Sequence, residues 1–192
     1  VEEQYYIFFP LILMAFWQRA RRFAMIGLVV IFLASLLGSE WMWRNAPSAN
    51  FYLLPTRAWE LLAGAFCAIW MTRAHRPAAN EWAAGLGLAM VLVAIFAFDS
   101  GTPFPSLYAL VPVLGCCLII LFAQNGTWVS RFLSWPPFVG IGLISYSAYL
   151  WHQPLFAFAR IKVGHEPALE LMMGLAGLAL GLAYLSWRFV EQ

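Results

Sequence analysis

Long uncharged runs, made mostly of apolar residues, fill the intervals between the few charged residues of this chain. The longest has 31 residues between Asp99 and Arg131, and another 28 separate Arg131 from Arg160. Of the 192 residues, 63% are hydrophobic and only 10% are charged, whereas a soluble domain has about 25% charged residues. A soluble fold of this size leaves about a third of its surface exposed and cannot bury so much apolar area. The composition therefore predicts a membrane protein and excludes a disordered or disulfide-stapled chain.

The lengths of the runs predict an all-α fold, a polytopic transmembrane helical bundle with about seven spans, because each spanning helix needs about 20 apolar residues. The runs are continuous rather than alternating, which argues against strands. We predict spans at Glu3–Trp17, Phe23–Leu37, Thr56–Met71, Trp82–Phe98, Leu107–Ala123, Phe138–Ala159 and Ala168–Trp187. Residues 1–192 would form one membrane domain. Because the chain starts at Val1 without a signal-peptide pattern, we expect it to be part of a longer protein.

The basic residues are divided unevenly between the two sides of this predicted bundle. The connections Gln18–Arg22, Thr72–Glu81 and Gln124–Trp135, together with the C-terminal end, carry 7 of the 11 basic residues, and the other side carries 4. Cytoplasmic loops hold the excess of Lys and Arg in membrane proteins. We therefore expect the N-terminal glutamates, Glu2 and Glu3, to lie outside and the C-terminus to lie inside.

Small residues at helical spacing predict where the spans pack closely. Gly177 and Gly181 form a G-x-x-x-G step in the last span, with Gly174 one turn earlier, and such a step permits close approach of two helices. Gly85 and Gly87 suggest a similar packing role in the fourth span.

Ionisable groups in or beside spans are the candidates for chemistry, because each costs about 2.5–3.5 kcal/mol on insertion scales. Glu2, Glu3 and Tyr6 lie at the outer end of the first span, where a solvated helix N-terminus is the alternative interpretation. Arg57 and Glu60 are three residues apart on one helical face and can pair directly. That pair is either a structural ion pair at the interface or part of a site.

A third candidate lies in the sixth span, where Ser145, Tyr149 and His152 have i, i+4 and i+7 spacing and share one helical face. Pro154 removes a backbone hydrogen bond, which predicts a kink near His152. A histidine in an apolar helix is either a hydrogen-bonded packing residue or a functional group. The charged cluster at residues 188–192 is explained by a cation at a helix C-terminus.

The predicted topology brings the three candidate groups to a similar depth in the outer half of the bundle. Their basic, acidic and imidazole groups would form an outward-facing polar cavity, which favours a polar substrate over a lipid tail. The three cysteines lack metal-ligand spacing, so no metal site is predicted. No basic patch supports nucleic-acid binding. The H-x-x-x-x-D motif of soluble acyltransferases and the G-x-S-x-G motif of hydrolases are absent.

Four motifs give the chain a resemblance to acyltransferase family 3, whose members are bacterial multi-pass enzymes that O-acylate envelope and exported sugars. The motifs are V-E-E-Q-Y-Y at residues 1–6, L-P-T-R-A-W-E-L at 54–61 followed by Gly64, S-Y-S-A-Y-L-W-H-Q-P at 145–154, and R-F-V-E-Q at 188–192. The resemblance extends over nearly the whole chain and corresponds to the C-terminal part of the family's membrane domain.

The resemblance implies a bacterial inner-membrane enzyme that transfers an acyl group from acetyl-CoA, or another acyl-CoA, on the cytoplasmic side. The acceptor would be a carbohydrate hydroxyl, and the other partner is the lipid bilayer; no bound cofactor is implied. The family's principal catalytic histidine would precede Val1, so residues 1–192 alone are expected to be inactive. We predict catalytic roles for His152, Glu2 and Glu3, and substrate-binding roles for Arg57, Glu60, Tyr149, Ser145 and Tyr6.

Two functions of other classes remain open. A transporter or flippase for a glycan intermediate would use intramembrane Arg, Glu and His equally well, and a non-catalytic assembly subunit needs no site. The sequence upstream would discriminate between them. A basic residue ahead of a histidine in the first span favours the enzyme, and two halves of inverted topology favour a transporter.

Overall fold

The structure is a computed structural model that describes residues 2–72, 77–99, 101–163 and 168–191. Within them, the side chains of residues 2–6, 8, 11–24 and 191 lie outside the description. The regular structure of the described residues is entirely helical, which confirms the predicted all-α class. The α-helices are α1 Glu2–Asn45, α2 Pro47–Tyr52, α3 Leu54–Thr72, α4 Glu81–Ala97, α5 Leu110–Phe122, α6 Trp128–Leu133, α7 Pro136–Val163 and α8 Leu169–Ser186.

Local signals in the sequence mark several of the helix boundaries. Pro47 occupies the first turn of α2, where its missing N–H group costs nothing. The side chain of Asn80 caps α4 by accepting a 3.0 Å hydrogen bond from the Ala83 N–H. Ser106 caps a short 3-10 turn, Leu107–Ala109, that leads into α5. A π-helical turn follows α8 at Trp187–Glu191.

Helix α1 differs from the prediction of two spans joined by a connection at Gln18–Arg22. The structure has one helix of 44 residues over Glu2–Asn45, which corresponds to a length of about 66 Å. The physical reason is local: the predicted connection has the sequence Q-R-A-R-R, which contains no Gly or Pro and consists of strong helix formers. The charged segment at residues 18–22 therefore interrupts the apolar run without ending the helix.

The chain divides into two compact units, Val1–Ser130 and Arg131–Gln192. In the first unit α1 packs against α3, and α4 packs against α5, which also contacts α3. The α1–α3 pair is antiparallel, since Ser35 contacts Trp59 while the earlier residue Phe32 contacts the later residue Phe66. In the second unit α7 packs against α8.

Helices α4 and α5 approach closely at two glycines. A Cβ atom on Gly87 would lie 2.7 Å from the carbonyl oxygen of Gly115, and a Cβ atom on Gly115 would lie 2.8 Å from that of Gly87. The predicted packing role of Gly87 is confirmed. Its partner Gly115 was not predicted, because it has no second glycine at helical spacing in its own helix.

In α8 the predicted close approach at Gly177 and Gly181 does not occur within the second unit, where α7 is the helix that packs against α8. No atom of the described residues lies within 4 Å of a Cβ atom built on either glycine, apart from their own helix and neighbours. The buried face instead carries Ala179 and Ala183, which have the same four-residue spacing. The spacing of small residues was therefore informative, but it did not specify which face of the helix packs.

Two segments of the described chain are long and apolar enough to cross a membrane, Met25–Asn45 and Leu169–Val190. The apolar helices at Glu81–Ala97 and Leu107–Phe122 are shorter. Many large apolar side chains face outward; Trp82 is 90% exposed and Phe96 is 83% exposed. The buried side chains include seven polar ones: Ser35, Ser39, Asn50, Thr56, Ser106, Thr127 and Ser147. Large apolar side chains on the outer surface, with polar side chains among the buried ones, are the arrangement expected of a membrane protein.

Candidate functional site

The predicted site residues fall into three groups in the structure. Glu2, Glu3 and Tyr6 start helix α1, and their side chains lie outside the described part of the chain. Arg57 and Glu60 lie in the first turns of α3, in the first unit. Ser145, Tyr149 and His152 lie on α7, in the second unit.

Arg57 and Glu60 form the ion pair that their spacing predicted. The Arg57 side chain donates to Oε2 of Glu60 from Nη2 at 2.9 Å and from Nε at 3.2 Å. The side chains are 24% and 16% exposed, so both are largely desolvated. Because both bonds end on Oε2, the other oxygen, Oε1, is buried without a hydrogen-bond partner among the described residues. The pair thus leaves one carboxylate oxygen able to accept a hydrogen bond.

Two aromatic rings flank the Arg57 guanidinium, and the sequence did not indicate either of them. The Cζ atom lies 5.4 Å from the ring centroid of Phe51 and 5.9 Å from that of Phe104. Both distances permit cation–π attraction, which strengthens where the cation is desolvated. Phe104 is 47 positions from Arg57 in the chain, so only the fold could bring them together. The rings restrict the positions that Arg57 can adopt.

A buried polar junction lies beside this pair, at the meeting of α1, α2 and the segment before α5. Nδ2 of Asn50 donates to the carbonyl oxygens of Pro105 at 2.8 Å and Ser39 at 3.3 Å. Oγ of Ser39 also donates to the Pro105 carbonyl, at 3.1 Å. The junction continues to α3, because Oγ1 of Thr56 donates to the Asn50 carbonyl at 2.8 Å. The sequence did not single out these residues. Their polar side chains were the feature that could have indicated the junction, because buried amides and hydroxyls nearly always have hydrogen-bond partners.

His152 makes a contact that fixes its tautomer. Its Nδ1 lies 3.1 Å from the carbonyl oxygen of Ala148, one turn earlier in α7. Because a carbonyl oxygen can only accept, Nδ1 carries the hydrogen, and the neutral ring has its lone pair on Nε2. The rings of Tyr149 and Phe156 lie on either side along the helix, 5.6 and 5.9 Å from the imidazole centroid. His152 thus combines a packed ring with a basic nitrogen.

The other residues predicted on this face of α7 differ in their hydrogen bonds and in their exposure. Oγ of Ser145 donates to the carbonyl oxygen of Gly142 at 2.7 Å, so its proton is used within its own helix. Tyr149 is 58% exposed. Next to His152, Nε1 of Trp151 donates to Oγ of Ser186 at 2.8 Å, a bond that joins α7 to α8. The structure therefore brings Tyr149 to His152 and gives Ser145 a local role.

A cavity of about 320 Å³ lies between α4, α5 and the segment that joins them. Among the described residues, its polar lining consists of Asp99 and Thr102, whose side chains bond to each other at 3.1 Å. The remaining lining side chains are apolar and include Phe104. A carbohydrate needs several polar partners, so this cavity does not fit one. In the described ranges no cluster of His, Cys, Asp and Glu could hold a metal ion.

The helices, the outward-facing apolar surface and the part-buried charges together define an α-helical membrane protein with two candidate polar centres. Comparison with protein families then identifies it: the acyltransferase domain of family 3 matches residues 1–188. The chain belongs to this family.

Three curated relatives match over all of this chain. Peptidoglycan O-acetyltransferase OatA of Listeria monocytogenes is 26% identical over 208 residues, and "Putative peptidoglycan O-acetyltransferase YrhL" of Bacillus subtilis is 27% identical over 214 residues. "Putative membrane-bound transacylase BcsY" of Komagataeibacter xylinus is 29% identical over 197 residues. The chain spans 33% of the first two relatives and 48% of the third. No solved structure matches the chain.

Proposed function

We propose that this chain is part of a bacterial inner-membrane O-acyltransferase. The enzyme takes an acyl group, acetyl in the first instance, from a cytoplasmic donor such as acetyl-CoA and transfers it to a hydroxyl of a cell-envelope or exported carbohydrate. Family membership supports the reaction class. The names of two relatives, "Peptidoglycan O-acetyltransferase OatA" and "Putative peptidoglycan O-acetyltransferase YrhL", support the acceptor class.

The contact between Nδ1 of His152 and the Ala148 carbonyl oxygen is the observation that supports a proton-transfer role. Acyl transfer needs a group that accepts the hydroxyl proton as the sugar oxygen attacks the acyl carbonyl, and imidazole does this near neutral pH. With Nδ1 directed to the Ala148 carbonyl, Nε2 is the nitrogen that accepts. His152 either accepts this proton itself, or receives it from the family's principal catalytic histidine and passes it on. Glu2 and Glu3 act with it, by fixing a histidine tautomer or by binding sugar hydroxyls.

The ion pair in the first unit has a binding role in this proposal. Oε1 of Glu60 accepts a hydrogen bond from a sugar hydroxyl, which gives this buried oxygen the partner it lacks among the described residues. Arg57 orients the carboxylate through its two charge-assisted hydrogen bonds. Tyr149, Ser145 and Tyr6 are the further candidates for contact with the acceptor.

The topology we propose has the C-terminus inside, the basic connections in the cytoplasm and about seven spans. Six crossings use α3, α4, α5, α7, α8 and the Met25–Asn45 segment of α1. The seventh, at Glu3–Trp17, would put Glu2 and Glu3 outside. It requires α1 to bend near its arginines, because a 66 Å helix is about twice as long as the hydrocarbon core is thick.

Substitution of His152 in the full-length protein tests the proton-transfer role. His152→Asn keeps an N–H group that can donate to the Ala148 carbonyl but removes the basic nitrogen. We expect His152→Asn and His152→Ala both to lower acetyl transfer by at least about tenfold, because general acid–base catalysis contributes about 10²–10⁴-fold. The measurement is acetate released by base from membrane glycans, at matched protein levels.

Gln153→Ala, an exposed neighbour on the same turn, and His165→Ala are the controls and should retain activity. If His152→Asn retained activity while His152→Ala lost it, activity would depend on the hydrogen bond to the Ala148 carbonyl and not on the basic nitrogen, and the proton-transfer role would be wrong. Equal losses in His165→Ala and His152→Ala would also contradict the assignment.

A further inference from the structure

We propose that Asn50 is a positioning residue for the Arg57–Glu60 pair. The proposal rests on the function proposed for that pair and adds a residue that acts on it without contacting substrate. Asn50 acts by fixing the two aromatic rings that flank Arg57, and by holding the residue that precedes Arg57 in the chain.

The hydrogen bonds of Asn50 place it at the centre of three segments. Its side chain is fully buried, and the two N–H bonds of Nδ2 join α1, through the Ser39 carbonyl, to the segment before α5, through the Pro105 carbonyl. Its own carbonyl accepts from Thr56 in α3. One residue therefore connects α1, α2, α3 and the approach to α5.

Each of these bonds lies one residue away from a group that contacts Arg57. Asn50 precedes Phe51, Pro105 follows Phe104, and Thr56 precedes Arg57 itself. Helix α2 has only six residues, and a helix this short is not stable without tertiary contacts. The positions of Phe51 and Phe104 relative to the guanidinium consequently depend on the Asn50 amide.

The amide is the only uncharged side-chain group of this size that donates two hydrogen bonds from one nitrogen. An aspartate has the same shape but donates none when ionised, so both carbonyl oxygens would face a negative charge. An alanine leaves the carbonyls with fewer donors and leaves a cavity. Ser39→Ala is a milder change, because it removes one of the two donors to the Pro105 carbonyl and leaves Asn50 in place.

A double-mutant cycle in the full-length enzyme tests the proposal. The variants are Asn50→Ala, Phe104→Ala and their combination, with Asn50→Asp and Ser39→Ala beside them. Asn45→Ala is the matched control, since Asn45 is exposed and its amide donates within α1, to the Trp41 carbonyl. Acetyl transfer from radiolabelled acetyl-CoA to peptidoglycan is measured in membranes, with the thermal unfolding temperature of each purified variant.

We expect Asn50→Ala to lower kcat by about tenfold or more, since small misplacements of binding groups can cost as much as about 100-fold. Asn50→Asp should lower kcat further, Ser39→Ala should lower it less, and Asn45→Ala should leave it unchanged. In the Phe104→Ala background, Asn50→Ala should lower kcat by a smaller factor than it does in the wild type, because one of the two rings through which Asn50 acts is already gone.

Three results would overturn the proposal: full activity of Asn50→Ala and Asn50→Asp, losses that multiply in the double variant, or losses that follow the unfolding temperature alone. Glu60→Gln separates this failure from failure of the proposed function. If Glu60→Gln is inactive while the Asn50 variants are active, only the positioning role is wrong. If Glu60→Gln is fully active, the role of the pair is wrong, and the positioning role falls with it.

Discussion

Two ion pairs in the first unit show how burial separates a surface contact from a candidate site. Glu40 and Arg44 pair at 2.8 Å, with the arginine side chain 64% exposed. Solvent screens such a pair, so it contributes little to the free energy of unfolding. Arg57 and Glu60 have a similar distance, but both are largely desolvated and one carboxylate oxygen lacks a partner among the described residues. A buried ion pair adds little to the free energy of unfolding, because the cost of desolvating both charges offsets their attraction and well-packed apolar residues can often replace them.

We predict that Glu60→Gln lowers acetyl transfer by at least about tenfold while expression and unfolding temperature stay near normal, a loss of about 1.4 kcal/mol in transition-state stabilisation. The amide keeps the shape of the side chain but removes the charge that orients Arg57. Acetylation of glycans in membranes at matched protein levels is the measurement.

Arg44→Met, which breaks the exposed pair, is the control and should retain full activity. The double variant Arg57→Met/Glu60→Leu adds a second comparison. If it and Glu60→Gln are both fully active, the pair is structural.

At the scale of the helices, close packing in the first unit depends on backbone contact between α4 and α5. Gly87 and Gly115 face each other so closely that a side chain on either would meet the backbone oxygen of the other. The glycines of α8 have open space around them among the described residues, although they follow a better-known motif. A motif for close packing therefore permits contact without requiring it.

We predict that Gly115→Ala destabilises the protein and Gly177→Ala does not. The new Cβ atom of Gly115→Ala forces α4 and α5 apart, and overpacking of this kind costs about 1–3 kcal/mol. Gly177→Ala instead gains helix propensity, up to about 1 kcal/mol, and meets no atom of the described residues. Thermal unfolding of the full-length protein in detergent measures both changes. An equal or larger unfolding temperature for Gly115→Ala would show that the close contact does not form.

At the scale of the whole molecule, the orientation in the membrane is open to direct measurement. Helix α4 has exposed residues at both ends, Ala79 before it and Gly101 after it. Since the basic connections are predicted to be cytoplasmic, these two positions should lie on opposite sides of the membrane.

In the full-length protein without its native cysteines, we expect Gly101→Cys to react in intact cells with a membrane-impermeant maleimide. Ala79→Cys should react only after the cells are permeabilised. Glu3→Cys should react from outside if α1 bends and crosses twice. The reverse pattern at positions 79 and 101 would invert the orientation, and protection of Glu3→Cys alone would leave α1 with a single crossing.

The sequence by itself determined the properties that depend on composition and on neighbours along a helix. The uncharged runs were sufficient for the all-α class, and i, i+3 spacing was sufficient for the Arg57–Glu60 pair, because helix geometry brings such residues together wherever the helix lies. The contact of Tyr149 with His152 was predictable for the same reason. The motifs were sufficient for the family, which matches nearly the whole chain.

Only the tertiary structure decided which residues from distant parts of the chain surround these groups. Phe104 reaches Arg57, and Pro105 reaches Asn50, across about fifty residues of sequence, and no local pattern specifies such a contact. The small residues of α8 illustrate the same limit, because two sets share a four-residue spacing and packing selected the alanines. Local geometry is encoded by spacing, whereas the choice of helix face and of distant partner depends on how the helices fit against each other.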